Sequence, residues 1–340
     1  MVTNEINLLK KFLLTYEDIN KLPLYPCDDD KERGAVCTIG HFDGVHLGHQ
    51  YVIGRMQLLA QERGLKETIA VTFDRHPRTL FDPDFEPKML STLDEKAHLL
   101  SLTGVDRCVI LQFDHQMAAM SARDFMEKIL RDRLGVRLLL LGYDNRFGKR
   151  NAEEGFDDYV RYGKELGIEV VECDKMAQNI DETVSSTHIR KLLYDGYVDE
   201  AMRCLGRPYT LEGTVVKGYQ EGRKIGFPTA NIDVDKQKVI PESGVYAVKV
   251  RVEGSMASLH GMMNIGTRPT YGSYRQTLEA NIFRFTDNIY GKKLRIEFYK
   301  RLRNEQQFPS AQRLAEQLRE DAAMAEETLS NSPLKGKDNS

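Results

Sequence analysis

The chain has 340 residues, a formal net charge of −3, 41% hydrophobic and 29% charged residues. That length predicts about two domains, and so even a charge balance provides no global basic field to draw nucleic acid or acidic membranes. No apolar run approaches the roughly 20 residues of a membrane span, and residues 1–16, mixed with charge, do not read as a secretory signal. The five cysteines, Cys27, Cys37, Cys108, Cys173 and Cys204, are scattered and contain no C-x-x-C pair. Cys37 and Cys108 lie inside apolar runs and read as small core residues, so a reducing cytoplasm is the expected location.

In the first half, apolar runs at residues 35–39, 68–73, 107–113, 137–142 and 169–172 predict strands. Helical patterns at 48–63, 94–103, 121–134 and 155–166 lie between them. Gly64, Gly104, Gly135 and Gly167 each follow such a pattern, where a helix-ending glycine belongs. Apolar strands separated by helices imply an α/β domain with a doubly wound parallel sheet. Such sheets bind ligands beyond the carboxyl ends of their strands. The polar clusters fall there: His46 and His49 after the first strand, Asp74, His76 and Pro77 after the second, Asp144, Asn145 and Arg146 after the fourth.

The first cluster is the most informative. Small residues at Gly40, Gly44 and Gly48 let backbone approach a ligand closely, and the helix that opens there points free N–H groups at it. Either imidazole can donate to a phosphate oxygen. A plain glycine turn and a zinc pair are the alternatives, but no nearby Cys or carboxylate set completes four zinc ligands. The segment Gly40-His41-Phe42-Asp43-Gly44-Val45-His46-Leu47-Gly48-His49 resembles the G-x-F-D-G-x-H-x-G-H signature of the nucleotidyltransferase superfamily. The resemblance implies that Gly40, Phe42, Asp43, Gly44, His46 and His49 hold ATP.

Three further segments are similar to those of bacterial bifunctional riboflavin kinase/FAD synthetases. Thr72-Phe73-Asp74-Arg75-His76-Pro77 resembles T-F-x-x-H-P. Gly142-Tyr143-Asp144-Asn145-Arg146-Phe147-Gly148 resembles G-x-D-F-R-F-G, with Asn145 where Phe is common. Val184-Ser185-Ser186-Thr187-His188-Ile189-Arg190 resembles I-S-S-T-x-I-R. Read alone, Ser185 to Thr187 serve equally well as a helix N-cap or as hydroxyls that bind an anion beside the Arg190 fork. The resemblance implies that Asp144, Asn145, Ser185, Ser186, Thr187 and Arg190 bind ATP and that Phe73, His76, Pro77 and Phe147 contact flavin.

Past Gly206-Arg207-Pro208, strand-like alternation takes over. Tyr246, Val248, Val250 and Val252 share one face, as do Leu278, Ala280 and Ile282, and Leu294, Ile296 and Phe298. This predicts an antiparallel β-barrel, followed by a helix over residues 311–329 with Ser310 as N-cap. The expected domains are 12–200 and 201–330, with a disordered polar tail at 331–340.

The second half resembles riboflavin kinase in three places: Gly222-Arg223-Lys224-Ile225-Gly226-Phe227-Pro228-Thr229-Ala230-Asn231, Asn264-Ile265-Gly266-Thr267-Arg268-Pro269-Thr270, and Leu302-Arg303-Asn304-Glu305-Gln306-Gln307-Phe308. By residue chemistry alone, the first is a phosphate flap or a solvated basic hairpin loop. Glu279, opposite Leu278, Ala280 and Ile282, is a solvated strand residue or a general base. The resemblance implies ATP on Gly222, Lys224, Gly226, Thr229, Asn231 and Asn264, Mg²⁺ on Thr229 and Asn231, flavin on Arg303, Glu305 and Phe308, and Glu279 as base at the barrel rim. Two positions depart from the family's E-x-H-I-F-D-F: Asn281 replaces His and Arg284 replaces Asp.

These motifs in family order imply an enzyme that phosphorylates riboflavin to FMN and adenylylates FMN to FAD. His46, His49 and Arg190 would face the developing charge of the second reaction. ATP is the co-substrate, FMN and FAD are the bound products, no nucleic acid or membrane partner is expected, and oligomeric state stays open. A nucleotidyltransferase for another phosphorylated acceptor would not need the barrel motifs. A non-catalytic flavin-binding protein is favoured by Asn281 and Arg284 and opposed by Thr229, Asn231 and Glu279.

Overall fold

The structure is a computed structural model. It describes residues 13–14, 16–22, 24, 34–82, 84–142, 147–148, 154–174, 184–218, 221–270 and 273–331. Asp144, Asn145 and residues 332–340 of the expected tail therefore lie outside the described residues, as does the side chain of Lys224. The chain divides into two compact units, Met1–Val184 and Ser185–Ser340.

The first unit is built on strands β1 (Leu13–Leu14), β2 (Ala35–Ile39), β3 (Glu67–Phe73), β4 (Arg107–Leu111), β5 (Val136–Leu141) and β6 (Glu169–Glu172). They form one sheet in the order β1-β4-β3-β2-β5-β6, and every pair is parallel. Helices α1 (Leu47–Arg63), α2 (Leu93–Ser101) and α3 (Phe156–Leu166) connect them. Apolar residues cover both faces. Cys37, Ile39, Val71 and Leu139 pack with Phe125, Ile129 and Tyr159 on one side. Val36, Ala70, Ile110 and Leu140 pack with Ile53, Met56 and Leu100 on the other. This is the doubly covered sheet expected from continuous apolar strands. Gly64, Gly104, Gly135 and Gly167 all have positive φ, 65° to 76°, as helix-ending glycines should. One expected helix differs: after a single α turn, Ala122–Phe125, it widens into a π-helix, Met126–Arg131, whose Met126, Ile129 and Leu130 are all buried.

The second unit opens with helices α4 (Ser186–Tyr194) and α5 (Val198–Leu205). The Leu193 carbonyl accepts from Glu242 N at 3.0 Å, which ties α4 to the barrel and places the division ahead of the residue-200 boundary read from the sequence. Strands β7 (Tyr209–Val216), β8 (Ala230–Val234), β9 (Gly244–Val252), β10 (Leu259–Thr270), β11 (Ser273–Ile282) and β12 (Lys293–Arg303) close an antiparallel barrel in the order β10-β11-β8-β7-β12-β9. Tyr246, Val248, Val250, Met263, Ile265, Ile296 and Phe298 are fully buried. The opposite face of the same strands buries Val245, Ala247, Met262 and Tyr299 against Ala325 and Leu329 of helix α6 (Ala311–Ser330). Ser310 caps α6, accepting from Arg313 N at 3.3 Å.

Candidate active sites

The glycine-rich turn follows β2 directly. Phe42 (φ 50°) and Val45 (φ 39°) both adopt the left-handed region, which a β-branched residue enters only when its surroundings enforce it. Asp43 supplies that enforcement. Its buried carboxylate accepts from Leu90 N at Oδ2 and from Ser91 N at Oδ1, each at 3.0 Å, while Gly44 N donates to Ser91 Oγ at 2.9 Å. Asp43 thus holds the loop from inside, a role that differs from the direct ATP contact implied by resemblance. Ser91, its anchor, carries no motif and gives no sequence signal.

His46 ends the turn and caps α1, its Nδ1 accepting from His49 N at 3.4 Å. A neutral ring so engaged keeps its proton on Nε2, which leaves that nitrogen as a donor. The His46 and His49 rings stack with centroids 3.6 Å apart, and Phe42 meets His49 edge-on at 5.2 Å. Gly48 leaves room for this arrangement, because a Cβ there would sit 3.2 Å from the His46 ring. The two imidazoles thus sit at a helix N-terminus, whose free N–H groups suit an anion. Within the same unit, the Val184 carbonyl lies 3.7 Å from that same Cβ position. In the second unit, Ser185 Oγ accepts from His188 N at 3.2 Å, which realises the N-cap reading of that residue. Ser186 and Arg190 are half-buried and Thr187 is exposed.

Beyond β3, Phe73 packs edge-on against Phe113 at 5.5 Å. His76 caps a short turn with Pro77 at its first position, and its ring lies 5.5 Å from His41 and 5.3 Å from Phe85. The His76 turn therefore lies beside the glycine-rich turn. Phe147 is different. Its ring is buried and stacks on Tyr159 at 4.7 Å, so it packs into the core. An aromatic in a motif reads the same whether it points to a ligand or to the core.

On the barrel, strand register brings three of the candidate polar residues together. Glu279 of β11 pairs with Asn231 of β8 on one side and Asn264 of β10 on the other. Directly paired residues share a sheet face, so the three side chains form a row. Thr229 Oγ1 donates to Glu279 Oε2 at 3.3 Å. The row lies on the outer face of the sheet, at the start of β8, since Leu278 and Ala280 on either side of Glu279 are buried on the opposite, inward face. Asn281, on the same face as Glu279, is buried and donates from Nδ2 to Pro228 O at 2.7 Å. This residue, a departure from the family pattern, thus fastens the segment that delivers Thr229. Gly222 is required, because a Cβ there would collide with Phe227 O, and Gly226 turns with φ 84°.

Gly218 also has no room for a side chain: its Cβ would collide with Asn231 Nδ2 and Cγ. Gly218→Ala should push Asn231 out of the row and slow FMN formation roughly tenfold or more, the scale of a small misplacement. FAD formation from supplied FMN should be unchanged, and initial rates for the two products would check both.

Arg303 and Phe308 come together, the guanidinium lying 5.6 Å from the ring. Arg303 is committed to a buried partner, however. Its Nε reaches Asp321 Oδ1 at 2.9 Å and its Nη2 reaches Oδ2 at 2.8 Å, with Asp321 fully buried in α6. It braces the strand end against the helix, and Glu305 nearby is exposed beside Gly266. Asp321 escaped sequence reading because one acid in a charged helix looks like any other. Arg284, the second departure, has φ 54° and pairs with Glu326 at 3.5 Å, while His260 Nδ1 meets the other oxygen of Glu326 at 2.7 Å.

Residues 28–188 match the FAD synthetase family and residues 205–329 the riboflavin kinase family. The chain is 37% identical over 310 residues to the bifunctional riboflavin kinase/FMN adenylyltransferase of Bacillus subtilis (strain 168), covering 89% of this chain and 95% of that one. It is 37% identical over 296 residues to the protein of the same name from Escherichia coli (strain K12), covering 87% and 93%. A solved structure described as a macrolide-efflux protein from Streptococcus pneumoniae superposes with a TM-score of 0.81 at 27% identity, covering 93% of this chain and 99% of that one. Among the described residues, no helix is long and apolar enough to cross a membrane.

Proposed function

The chain belongs to the bifunctional riboflavin kinase/FMN adenylyltransferase family, and from that premise we propose which of its residues perform each reaction. It is an enzyme of flavin biosynthesis: it phosphorylates riboflavin to FMN with ATP and adenylylates FMN to FAD. The observation that carries the residue assignment is the row Asn231–Glu279–Asn264 with Thr229 hydrogen-bonded to its carboxylate.

In the kinase reaction, Glu279 accepts the proton of the ribityl 5′-hydroxyl as that oxygen attacks the γ-phosphorus. ADP leaves and FMN remains. Thr229 and Asn231 add neutral oxygens beside one carboxylate, a donor set that fits Mg²⁺, an ion that keeps waters and substrate phosphates as its other ligands. When bound there, Mg²⁺ supplies charge neutralisation on the phosphates. Asn264 completes the polar row, and the segment from Gly222 to Thr229 closes over ATP. Glu305 and Phe308 border the flavin, with Arg303 holding their strand end in place.

In the adenylyl-transfer reaction, the FMN phosphate is already anionic and attacks the α-phosphorus of ATP without a base. Pyrophosphate leaves. Catalysis is then positioning and charge stabilisation, supplied by His46, His49 and the helix N-terminus that carries them. Ser186, Thr187 and Arg190 serve as further phosphate ligands, and Phe73, His76 and Pro77 take the isoalloxazine side. The protein works in the cytoplasm, where its free cysteines Cys37, Cys108, Cys173 and Cys204 stay reduced.

The test is a time course with riboflavin, ATP and Mg²⁺, resolved by chromatography, and a parallel run from FMN. FMN should appear first and FAD after it, and chelating the metal should stop FMN formation. FMN formation at full rate without a divalent cation would remove the Mg²⁺ assignment.

A further inference from the structure

Lys96 occupies the buried stripe of α2, on the same helix face as Leu93, Ala97 and Leu100, and is only 3% exposed. A buried ammonium is costly unless its hydrogen bonds are made. Those of Lys96 go to backbone carbonyls: Nζ donates to Phe73 O at 2.7 Å and to His41 O at 3.2 Å. His41 is the second residue of the nucleotide loop. Phe73 ends β3 and leads into the His76-Pro77 turn. Thr72 Oγ1 also donates to His41 O at 3.2 Å, so this carbonyl is held from two sides. Upstream of α2, Leu90 and Ser91 grip Asp43 of the same loop.

We propose that Lys96 is a positioning residue for adenylyl transfer: its ammonium clamps the nucleotide loop at His41 to the flavin-side strand end at Phe73 and so sets the spacing of the two substrates. The inference rests on the assignment of these two segments to ATP and FMN. Lys96 touches no reacting atom; it acts through the backbone of its neighbours.

Burial lowers the Lys96 pKa from the ordinary lysine value to about 8, with Asp43, Cys108 and Asp74 as the groups whose charge pulls it back up. Above that pH the neutral amine keeps two N–H donors for the two carbonyls but loses the charge that strengthens both bonds, so the clamp weakens. FAD formation should therefore decline as pH rises through about 8. Unfolding would not explain this contribution. Between about 8 and 10.5 the unfolded chain binds the Lys96 proton and the folded chain does not, so this group makes folding more favourable as pH rises.

The experiment measures FAD formation from FMN and ATP, and FMN formation from riboflavin, on both sides of pH 8, for the wild type, Lys96→Met, Lys96→Gln and His49→Ala. Lys96→Met should lower kcat for FAD formation about tenfold or more, as misplaced reactants do, with KM for ATP nearly unchanged and the alkaline decline gone. Lys96→Gln, which keeps a donor, should retain more activity than Lys96→Met, and both should make FMN at the wild-type rate. Wild-type kcat together with the wild-type alkaline decline in either folded Lys96 variant, while His49→Ala is inactive, would overturn the inference. An active His49→Ala would instead overturn the assignment of the loop on which it rests. Should Lys96→Met fail to fold, Lys96→Gln makes the same comparison.

Discussion

His49→Ala should lower FAD formation from FMN at least about 100-fold, the effect of one lost donor at a developing charge, and leave FMN formation from riboflavin intact. A phosphate arriving at α1 meets backbone N–H groups and two imidazoles stacked at 3.6 Å. Those backbone groups persist in the variant and still bind ATP, so the loss should fall on kcat more than on KM. The fold should survive, because the loop is pinned by Asp43 through Leu90 and Ser91, with no bond from the His49 side chain required for that grip. Steady-state rates from FMN and from riboflavin separate the two effects. Unchanged FAD synthesis would remove the histidine pair from the mechanism.

Glu279→Gln should do the reverse. FMN formation should fall about 100- to 10,000-fold, the range for a lost general base, while supplied FMN is still converted to FAD. Gln keeps an oxygen that can accept from Thr229 Oγ1, so the polar row and the β8–β11–β10 register should persist. What disappears is the carboxylate that takes the hydroxyl proton. A variant that makes FMN at the wild-type rate would leave Glu279 as a strand residue hydrogen-bonded to Thr229, with no role in proton transfer.

Much of the fold was legible because it rests on patterns with one reading. Continuous apolar strands such as residues 35–39 admit only a sheet covered on both faces, and Tyr246, Val248, Val250 and Val252 alternate into a barrel interior. β1 was missed because two residues, Leu13–Leu14, carry no periodicity; only their pairing with Ile110 and Leu111 makes them a strand. At the sites, residue types were legible and orientations were not. The His46 and His49 rings stack at the start of α1, whereas Asp43 turns inward to the Leu90–Ser91 backbone and Phe147 stacks in the core. Arg303 is spent on Asp321, a partner 18 positions away that only the tertiary fold brings near. Lys96 did leave a trace, a charge at i+3 within the stripe Leu93, Ala97, Leu100, but its carbonyl partners lie on two other segments. Asn281 shows the opposite case: it looked like a weakening of the family pattern, and its hydrogen bond to Pro228 O ties β11 to the segment that carries Thr229.

The central claim is that one chain carries two separable reactions joined by FMN. Mixing His49→Ala with Glu279→Gln and supplying riboflavin, ATP and Mg²⁺ tests it most directly. Neither variant alone should convert riboflavin to FAD. The mixture should, because the first releases FMN and the second adenylylates it. A mixture that accumulates no FAD, although the first variant makes FMN and the second accepts supplied FMN, would contradict the account.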